Sequence, residues 1–493
     1  MGLGPLDLGI VAIYLIGITL FGLRFRTRQR SLKDYFLADK NIPWWAISLS
    51  IVAAETSTLT VISVPGLAYE KNFTFLQLVL GYMLGRVVIS FVLIPQYFRG
   101  DLFTAYQLIE RRFGQKLRSL TAGLFLVTRA AAEGVRIFAV AIVVGIALSS
   151  WLQGFSNLGR DVAAIGIVTV LTLIYTFEGG MAAVIWTDVI QTSIYVVGTI
   201  IGFFTILHLV PGGWHTVSTV AGSADKFRMF DFSWDFYKTY TFWSGVIGGA
   251  FLTTASHGTD QLIVQRLLAA KTLRQSQMAL LISGVAVFFQ FGLFLLVGAA
   301  LYVFYRLNPN LIAFSRADRM FPTFIVSTMP AGIRGLLIAA ILAAAMSNLS
   351  AALNSLSSTT ILDFYARMRP DLPEARLLSL SRKITVVWGL VLFALAILSR
   401  SGGRVVELGL SIASVAYGAL LGVFLLGVLT AKATENGAMV GMLCGFVTNI
   451  YLWQFTKVPF TWYVALGSAV TFAVGYASSR LFFVAREPMS SPT

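Results

Sequence analysis

Residues 48–60 read Ser48-Leu-Ser-Ile-Val-Ala-Ala-Glu55-Thr-Ser-Thr-Leu-Thr60, which places a carboxylate and several hydroxyl groups in the middle of an apolar segment. No apolar helix face continues through Glu55-Thr56-Ser57-Thr58. This pattern is typical of a membrane helix that is interrupted near the midplane, where free backbone carbonyls can bind a cation and half-helix ends can face a solute. The alternative is a continuous helix inside a bundle, with its hydroxyls bonded back to its own carbonyls.

The chain around this stretch is apolar enough to cross a bilayer many times. Of its 493 residues, 57% are apolar and 12% are charged, whereas a soluble domain carries about 25% charged residues. A membrane helix needs about 20 mostly apolar residues. By this measure we predict an all-α integral membrane protein with about 13 spans, at residues 6–24, 43–68, 73–96, 117–150, 162–177, 182–209, 241–265, 274–306, 333–364, 382–399, 404–430, 435–454 and 461–486.

The charges predict an orientation in the cell membrane. The chain has 37 basic and 22 acidic residues and a net charge of +15, but they lie in short clusters between apolar runs, which argues against a nucleic-acid partner. With the N-terminus outside and the C-terminus in the cytoplasm, cytoplasmic loops hold nearly twice as many basic residues as external ones.

The first span is followed by Arg24, Arg26, Arg28 and Arg30, which indicates a retained helix rather than a cleaved signal peptide. The single cysteine, Cys444, excludes an intramolecular disulfide.

Six charged residues stand out inside the predicted spans, where burial of charge is costly. They are Glu55, Arg86, Arg129, Glu133, Arg136 and Asp188. Equal numbers of acids and bases suggest that they pair inside the protein. Arg129, Glu133 and Arg136 recur at i, i+4 and i+7, so they share one helix face. Two roles stay open for this triad, a neutralised structural cluster and a charge network for gating or solute binding.

The ninth predicted span carries oxygen ligands on one face. Within Ala343 to Ser355, the side chains of Ser347, Ser350 and Asn354 recur at helical spacing. Neutral oxygen ligands suit a weakly held monovalent ion, whereas zinc or a transition metal would favour His, Cys or clustered carboxylates. The alternative is a small-residue face that packs against a neighbouring membrane helix.

A second polar interruption, Thr253-Thr-Ala-Ser256-His257-Gly258-Thr-Asp260, follows the first by about five spans. This spacing favours one transporter domain, 1–493, built as an inverted repeat of five plus five helices with broken first helices, of the leucine-transporter type. The repeats would be 43–209 and 241–430, with an extra N-terminal helix, 6–24, and two C-terminal helices within 435–486. His257 and Asp260 could form a catalytic pair, but no nucleophile lies in a recognisable elbow, so we predict that the protein is not an enzyme.

Three segments resemble the sodium/solute symporter family, which includes sodium-coupled sugar, proline, pantothenate, iodide and sialic-acid transporters. They are Gly258-Thr-Asp-Gln-Leu-Ile-Val-Gln-Arg-Leu-Leu-Ala-Ala270, Gly179-Gly-Met-Ala-Ala-Val-Ile-Trp-Thr-Asp-Val-Ile-Gln191, and Ala343 to Ser355 followed by Asp363-Phe-Tyr365. The resemblance extends over residues 6–480. It implies symport by alternating access, with Na⁺ as the coupling ion, no other cofactor, a small organic solute as the other partner, and a monomer as a sufficient unit.

The resemblance also implies sodium ligands. The family's shared site corresponds to the carbonyls of Ala53 and Thr56 and to Ala344 and Ser347 on the ninth span. The next position usually holds a second hydroxyl, but here it is Asn348, whose amide oxygen can still bind sodium. A second sodium site found in some members corresponds to Asp188, Ser347 and Ser350. Because Ala351 stands where a further serine would complete that site, one ion is favoured, and Asp188 could instead pair with a base.

The solute is less constrained by the sequence. The family's solute pocket corresponds to Glu55, Ser57, Thr60, Phe75, Thr253, Ser256 and Tyr417. The sialic-acid members place a carboxylate-binding arginine on the fourth span, where this chain has an alanine, with Arg129 and Arg136 about one turn to either side. Glu55 would repel a carboxylate unless an arginine neutralises it, so a neutral polyhydroxy or zwitterionic solute is favoured. The alternatives are a proton-coupled symporter that uses Glu55, and an ion channel, which would need a continuous wet pore.

Overall fold

The chain forms a helical bundle in the computed structural model, which describes residues 3–25, 31–100, 102–147, 154–312, 314, 317–399 and 405–484. These ranges contain no β-strand, and the sole extended pairing within them is a parallel bridge between Ile42 and Ala270. Arg26, Arg28 and Arg30 of the predicted basic loop lie outside the described residues. So do the outer ends of three predicted spans, 117–150, 404–430 and 461–486.

The first half of the chain contains ten α-helices, α1 to α10. In order they are Pro5–Leu23, Leu32–Leu37, Trp44–Glu55, Thr58–Glu70, Leu76–Val88, Ile94–Tyr97, Tyr106–Arg112, Gln115–Ala147, Asn157–Leu209 and Gly213–Ser223. Short 3₁₀ turns occupy Ala38–Lys40 and Phe73–Phe75, and a π-helical turn at Ile89–Leu93 joins α5 to α6.

The second half contains α11 to α20. They are Phe242–Gly258, Gln261–Leu268, Leu273–Leu307, Met320–Thr328, Ile333–Thr359, Ala366–Met368, Glu374–Leu398, Val405–Leu429, Glu435–Phe455 and Tyr463–Val484. A π-helical turn at Thr360–Tyr365 joins α15 to α16, and 3₁₀ turns occupy Pro309–Leu311, Ala317–Arg319 and Phe460–Trp462.

Nine helical segments in the described ranges are long and apolar enough to cross a membrane, and the bent pair α3–α4 would make ten. The nine are Pro5–Leu23, Phe73–Tyr97, Gly180–Leu209, Leu273–Leu307, Ile333–Met368, Glu374–Leu398, Ser411–Leu429, Glu435–Phe455 and Phe460–Leu481. The structure therefore supports a multi-span helical protein, while the full number of about 13 spans and the inverted repeat stay predictions.

The interruption predicted from residues 48–60 is present. Helix α3 ends at Glu55 and α4 begins at Thr58, with an angle of 61° between Trp44–Glu55 and Thr60–Glu70. The cause is local, because Ser57 caps α4. Its Oγ accepts a hydrogen bond from the Thr60 N–H (3.4 Å), and its own N–H donates to Thr60 Oγ1 (3.3 Å). This reciprocal cap satisfies backbone donors that a restarted helix would otherwise leave free.

The second predicted interruption separates α11 from α12. Helix α11 ends at Gly258, and Asp260 caps α12 by accepting a hydrogen bond from the Leu262 N–H (2.9 Å). A further kink lies inside α9 at Gly180, whose φ of +56° favours glycine. This kink falls between the two spans that the sequence predicted at 162–177 and 182–209.

Helix α15 lies at the centre of the bundle. In its most apolar stretch 94% of residues are buried, compared with 28% in the corresponding stretches of α1, α17 and α19. It packs against α3, α8, α9 and α12, and α3 also packs against α12 and α13. Both broken helix pairs therefore contact the helix that carries the predicted oxygen ligands.

The extra N-terminal helix is attached to α15 through Asp7, which is fully buried. Its Oδ1 accepts hydrogen bonds from the N–H groups of Gly332 (2.8 Å) and Gly335 (3.0 Å), and its Oδ2 accepts one from Arg334 Nε (2.8 Å). A carboxylate at a helix N-terminus satisfies free donors and interacts favourably with the helix dipole. Asp7 thus fixes α1 to the start of the central helix.

We expect the substitution Asp7→Ala to destabilise the protein by about 2 kcal/mol, because it leaves the N–H groups of Gly332 and Gly335 and the Arg334 guanidinium without this acceptor. The measurement is the thermal unfolding temperature of the detergent-purified protein. Asp371→Ala, at an exposed turn position, is the control. An equal loss in both variants would show that the contacts of Asp7 contribute little.

Candidate functional site

The two helix interruptions enclose a cavity of about 980 Å³, open space at its mouth included. This central cavity is lined from the first interruption by Ala54, Glu55, Ser57, Thr60, Val64 and Leu67, from the second by Leu252, Thr253, Ser256, His257, Leu262 and Ile263, and from neighbouring helices by Phe75, Tyr82, Arg129, Arg136, Phe291, Ala413 and Tyr417. All seven predicted solute residues are among them.

A carboxylate inside a membrane span needs a basic partner, and Glu55 has one in Arg86. Its carboxylate forms a close ion pair with Arg86, which is 1% exposed, and the His257 Nε2 lies 3.5 Å from Glu55 Oε2. The guanidinium of Arg86 also donates to the Tyr82 carbonyl (3.3 Å) and to Ser283 Oγ (3.3 Å). The negative charge at the cavity wall is therefore balanced by a buried base directly behind it.

The predicted triad on α8 divides into two separate ion pairs. Arg136 Nη1 lies 3.4 Å from Glu133 Oε2, whereas Arg129 Nη1 lies 3.6 Å from Asp260 Oδ2 on the second interruption. The Tyr417 hydroxyl donates to the same Asp260 oxygen (2.6 Å). The Nε of Arg129 is buried and has no hydrogen-bond partner among the described residues. Arg129 therefore links α8, α12 and α18 and retains a free donor beside the cavity.

The carbonyls of the predicted sodium site converge on one point. The Nδ2 of Asn348 lies 3.2 Å from the Ala53 oxygen, 2.9 Å from the Thr56 oxygen and 3.2 Å from the Ala344 oxygen. The sequence prediction assigned the amide oxygen of Asn348 to this position. The structure instead turns the amide nitrogen toward the carbonyls, because three acceptors need a donor. Ser347 is adjacent, and its hydroxyl donates to Asp188 Oδ1 (2.6 Å).

Asp188 is neutralised by a base that the sequence analysis placed just beyond the seventh span. Arg266 and Asp188 are both 0% exposed, and Arg266 Nη2 lies 3.0 Å from Asp188 Oδ2. Ser50 Oγ donates to the same carboxylate oxygen and accepts from Arg266 Nε (2.7 Å). The Ser350 hydroxyl bonds back to the Ser347 carbonyl (2.9 Å). The residues proposed for a second sodium thus surround a complete ion pair, in line with the alternative that Asp188 pairs with a base.

One further site residue was missed by the sequence analysis. Gln290 on α13 donates from Nε2 to Thr56 Oγ1 (2.7 Å), at the first interruption. Its Oε1 is buried and has no partner within the described ranges. A lone amide in the middle of the apolar run 284–297 was the signal that could have identified it.

The segment between α10 and α11 is fixed near Phe75 of the cavity wall. The Tyr240 ring centroid lies 5.5 Å from that of Phe75, and the Asp231 N–H donates to Gln77 Oε1 (2.9 Å). A hydrogen bond from the Lys238 ammonium lowers the pKa of the Asp231 carboxyl to about 2. The Asp231 carboxylate therefore stays ionised over the physiological pH range and can keep its ion pair with Lys238 there.

Comparison with known proteins places this geometry among transporters. The model of the sodium:solute symporter family matches residues 35–445. A sodium/sialic acid symporter of Aliivibrio fischeri is 30% identical, over 97% of this chain and 94% of the relative, and the human sodium/iodide cotransporter is 29% identical, over 91% and 70%. The solved structure of a Na⁺-coupled sialic acid symporter, in a substrate-bound outward-open state, matches with a TM-score of 0.88 and 28% identity, over 97% of this chain and 98% of that chain. The matched region includes both helix interruptions, the central cavity and α15.

Proposed function

Because the chain belongs to the sodium:solute symporter family, and is therefore a sodium-coupled membrane transporter rather than an enzyme, we propose that it moves one small organic solute into the cell by alternating access. The observation that carries this proposal is the convergence of three backbone carbonyls, from the first interruption and from α15, beside a polar cavity. Backbone oxygens freed by a broken helix are suitable cation ligands within a membrane.

In this proposal one sodium ion binds between the first interruption and α15. Its ligands are the carbonyls of Ala53, Thr56 and Ala344, with Ser347 and Asn348 from the side chains. An ion held there would fix α3 and α4 against α15, and so hold Ser57 and Thr60 in place at the cavity wall. A second ion at Asp188, Ser347 and Ser350 is disfavoured, because Arg266 already supplies the positive charge at that carboxylate.

We propose that the solute is a neutral polyhydroxy compound or a zwitterion. The ionised residues at the cavity wall are paired as Glu55–Arg86, Arg129–Asp260 and Arg136–Glu133, which supports a site without a strong net charge. The sialic acid and iodide transporters are 30% and 29% identical to this chain, so similarity alone does not select a solute.

The proposed architecture follows from the two interruptions. Residues 43–209 and 241–430 would be the inverted repeats, with 6–24 and 435–486 as additional helices in a single domain, 1–493. The N-terminus would face outward and the C-terminus inward, as the distribution of basic residues favours. No observation supports the two alternatives, proton coupling through Glu55 and an ion channel.

The test is uptake into proteoliposomes under an inward sodium gradient, with a potassium gradient as reference. The solute panel should contain neutral sugars, polyols, amino acids and sialic acid. We expect accumulation above equilibrium in sodium alone, and a preference for neutral or zwitterionic solutes. Ser347→Ala should raise the sodium concentration for half-maximal uptake about tenfold, since one ligand is lost.

The control is Ser355→Ala, because Ser355 is a buried serine of the same helix whose hydroxyl bonds back to the Ala352 carbonyl (3.0 Å). Equal uptake in potassium would refute sodium coupling. A preference for sialic acid over all neutral solutes would refute the solute class and leave symport intact.

A further inference from the structure

Asn348 holds a hydrogen-bond donor at the point where the coupling ion would bind. Its Nδ2 lies within 3.2 Å of three carbonyl oxygens, two from the first interruption and one from α15. We propose that the Asn348 amide competes with sodium for these carbonyls, and that sodium binds only after the amide turns and presents Oδ1 to the ion. This inference rests on the proposed function, since it concerns the sodium site of that transporter.

The two ends of the Asn348 amide suit the two states of the site: the NH₂ end can donate to the carbonyls, and the oxygen end can bind a cation. An asparagine side chain has an NH₂ end that only donates and an oxygen end that only accepts. With the nitrogen toward the carbonyls, the donors are satisfied, but Oδ1 is buried and has no partner in the described part of the chain. A buried acceptor without a partner is unfavourable. A half-turn of the amide would place Oδ1 among the carbonyl oxygens, where four oxygens together require a cation.

The contacts of the amide also connect the two elements that the ion would connect. Without sodium, Asn348 joins the Ala53 and Thr56 carbonyls to α15, so the first interruption stays attached to the central helix. A serine at this position has one hydroxyl hydrogen and could bridge at most part of this set. The chain should therefore depend less on sodium for its stability than a variant with serine, and it should bind sodium more weakly.

The experiment is a sodium titration of thermal unfolding on the full-length protein in detergent, with choline chloride at constant ionic strength. Two variants are compared with the unsubstituted protein. Asn348→Ser replaces the two N–H donors by one hydroxyl, which can turn its hydrogen away and present its oxygen to the ion. Asn348→Asp keeps the side-chain shape and removes the donors, but it also adds a charge that attracts sodium, so the serine variant decides the competition. Asn354→Ser is the matched control, because Asn354 is an equally buried asparagine of α15 whose Nδ2 faces Met181 Sδ (3.7 Å) rather than the carbonyls.

We expect both Asn348 variants to unfold at a lower temperature than the unsubstituted protein in choline, and sodium to reverse this loss. Their half-saturating sodium concentration should be at least about tenfold lower, because the ion no longer displaces the N–H donors. The control should keep the sodium response of the unsubstituted protein. If one variant does not fold without sodium, purification in sodium and the other variant still provide the comparison.

Two results would overturn the competition. The first is a half-saturating sodium concentration that is unchanged or raised in the Asn348 variants. The second is unfolding of both variants to the same extent in sodium and choline. A different result, no response to sodium in any protein including the Asn354→Ser control, would refute the sodium coupling of the proposed function itself.

Discussion

Replacement of Arg266 by alanine is expected to lower the free energy of unfolding by about 4 kcal/mol, because it leaves the Asp188 carboxylate unpaired in the bundle interior. Both side chains are 0% exposed, and Arg266 also donates to Ser50 Oγ (2.7 Å) and to the Leu262 carbonyl (2.7 Å). No other base lies within ion-pair distance of Asp188 among the described residues. The measurement is the unfolding temperature in detergent, together with the yield of monodisperse protein.

The double substitution Asp188→Asn/Arg266→Met should recover a large part of this loss, since removal of both charges costs less than removal of one. The control is Arg228→Ala, which breaks an exposed ion pair with Asp225 (3.0 Å) and should have almost no effect. If the double variant is as unstable as Arg266→Ala alone, the unpaired carboxylate is not the cause of the loss.

The sequence predicted the positions of the helix breaks wherever polar groups interrupt apolar runs. The polar stretch around Glu55 predicted the separation of α3 from α4, and the second polar stretch predicted the separation of α11 from α12. Helices in a membrane must satisfy their backbone groups internally, so clustered polar residues at mid-span are informative about irregular backbone. The kink at Gly180 follows from a φ of +56°, which favours glycine.

The sequence did not predict which charged side chains pair with each other. Spacing on α8 placed Glu133 on one helix face with Arg129 and Arg136, but Arg129 pairs with Asp260, which is far away in the sequence. Arg266 lies one residue beyond the predicted edge of its span, so it was assigned to a loop although it is fully buried. Such pairs depend on which helix faces contact each other, and a single sequence does not specify these contacts.

The orientation of Asn348 shows the same limit at the level of one side chain. The resemblance to the family identified its position, and elementary chemistry allowed its oxygen to bind an ion. Which end of the amide faces the carbonyls depends on the acceptors that three separate residues bring together. Donor and acceptor balance at a buried site can be judged only once the surrounding backbone is placed.

Glu55→Gln is expected to reduce solute uptake about 100-fold, equivalent to about 2.7 kcal/mol. The substitution removes the charge that balances Arg86, which is 1% exposed and has no other carboxylate within ion-pair distance among the described residues. The central cavity then gains a net positive charge, which disfavours a neutral or zwitterionic solute relative to an anion. The measurement is initial uptake in proteoliposomes, with Glu70→Gln, at the exposed end of α4, as the control.

The double variant Glu55→Gln/Arg86→Met separates two roles of Glu55. If the carboxylate acts through charge balance, removal of both charges restores a neutral cavity. The double variant should then transport at least about tenfold faster than Glu55→Gln. If the double variant transports no better than Glu55→Gln, the carboxylate contacts the solute directly. Unchanged uptake in Glu55→Gln alone would contradict a solute site whose selectivity rests on paired charges, because the cavity would then tolerate an unbalanced arginine at its wall.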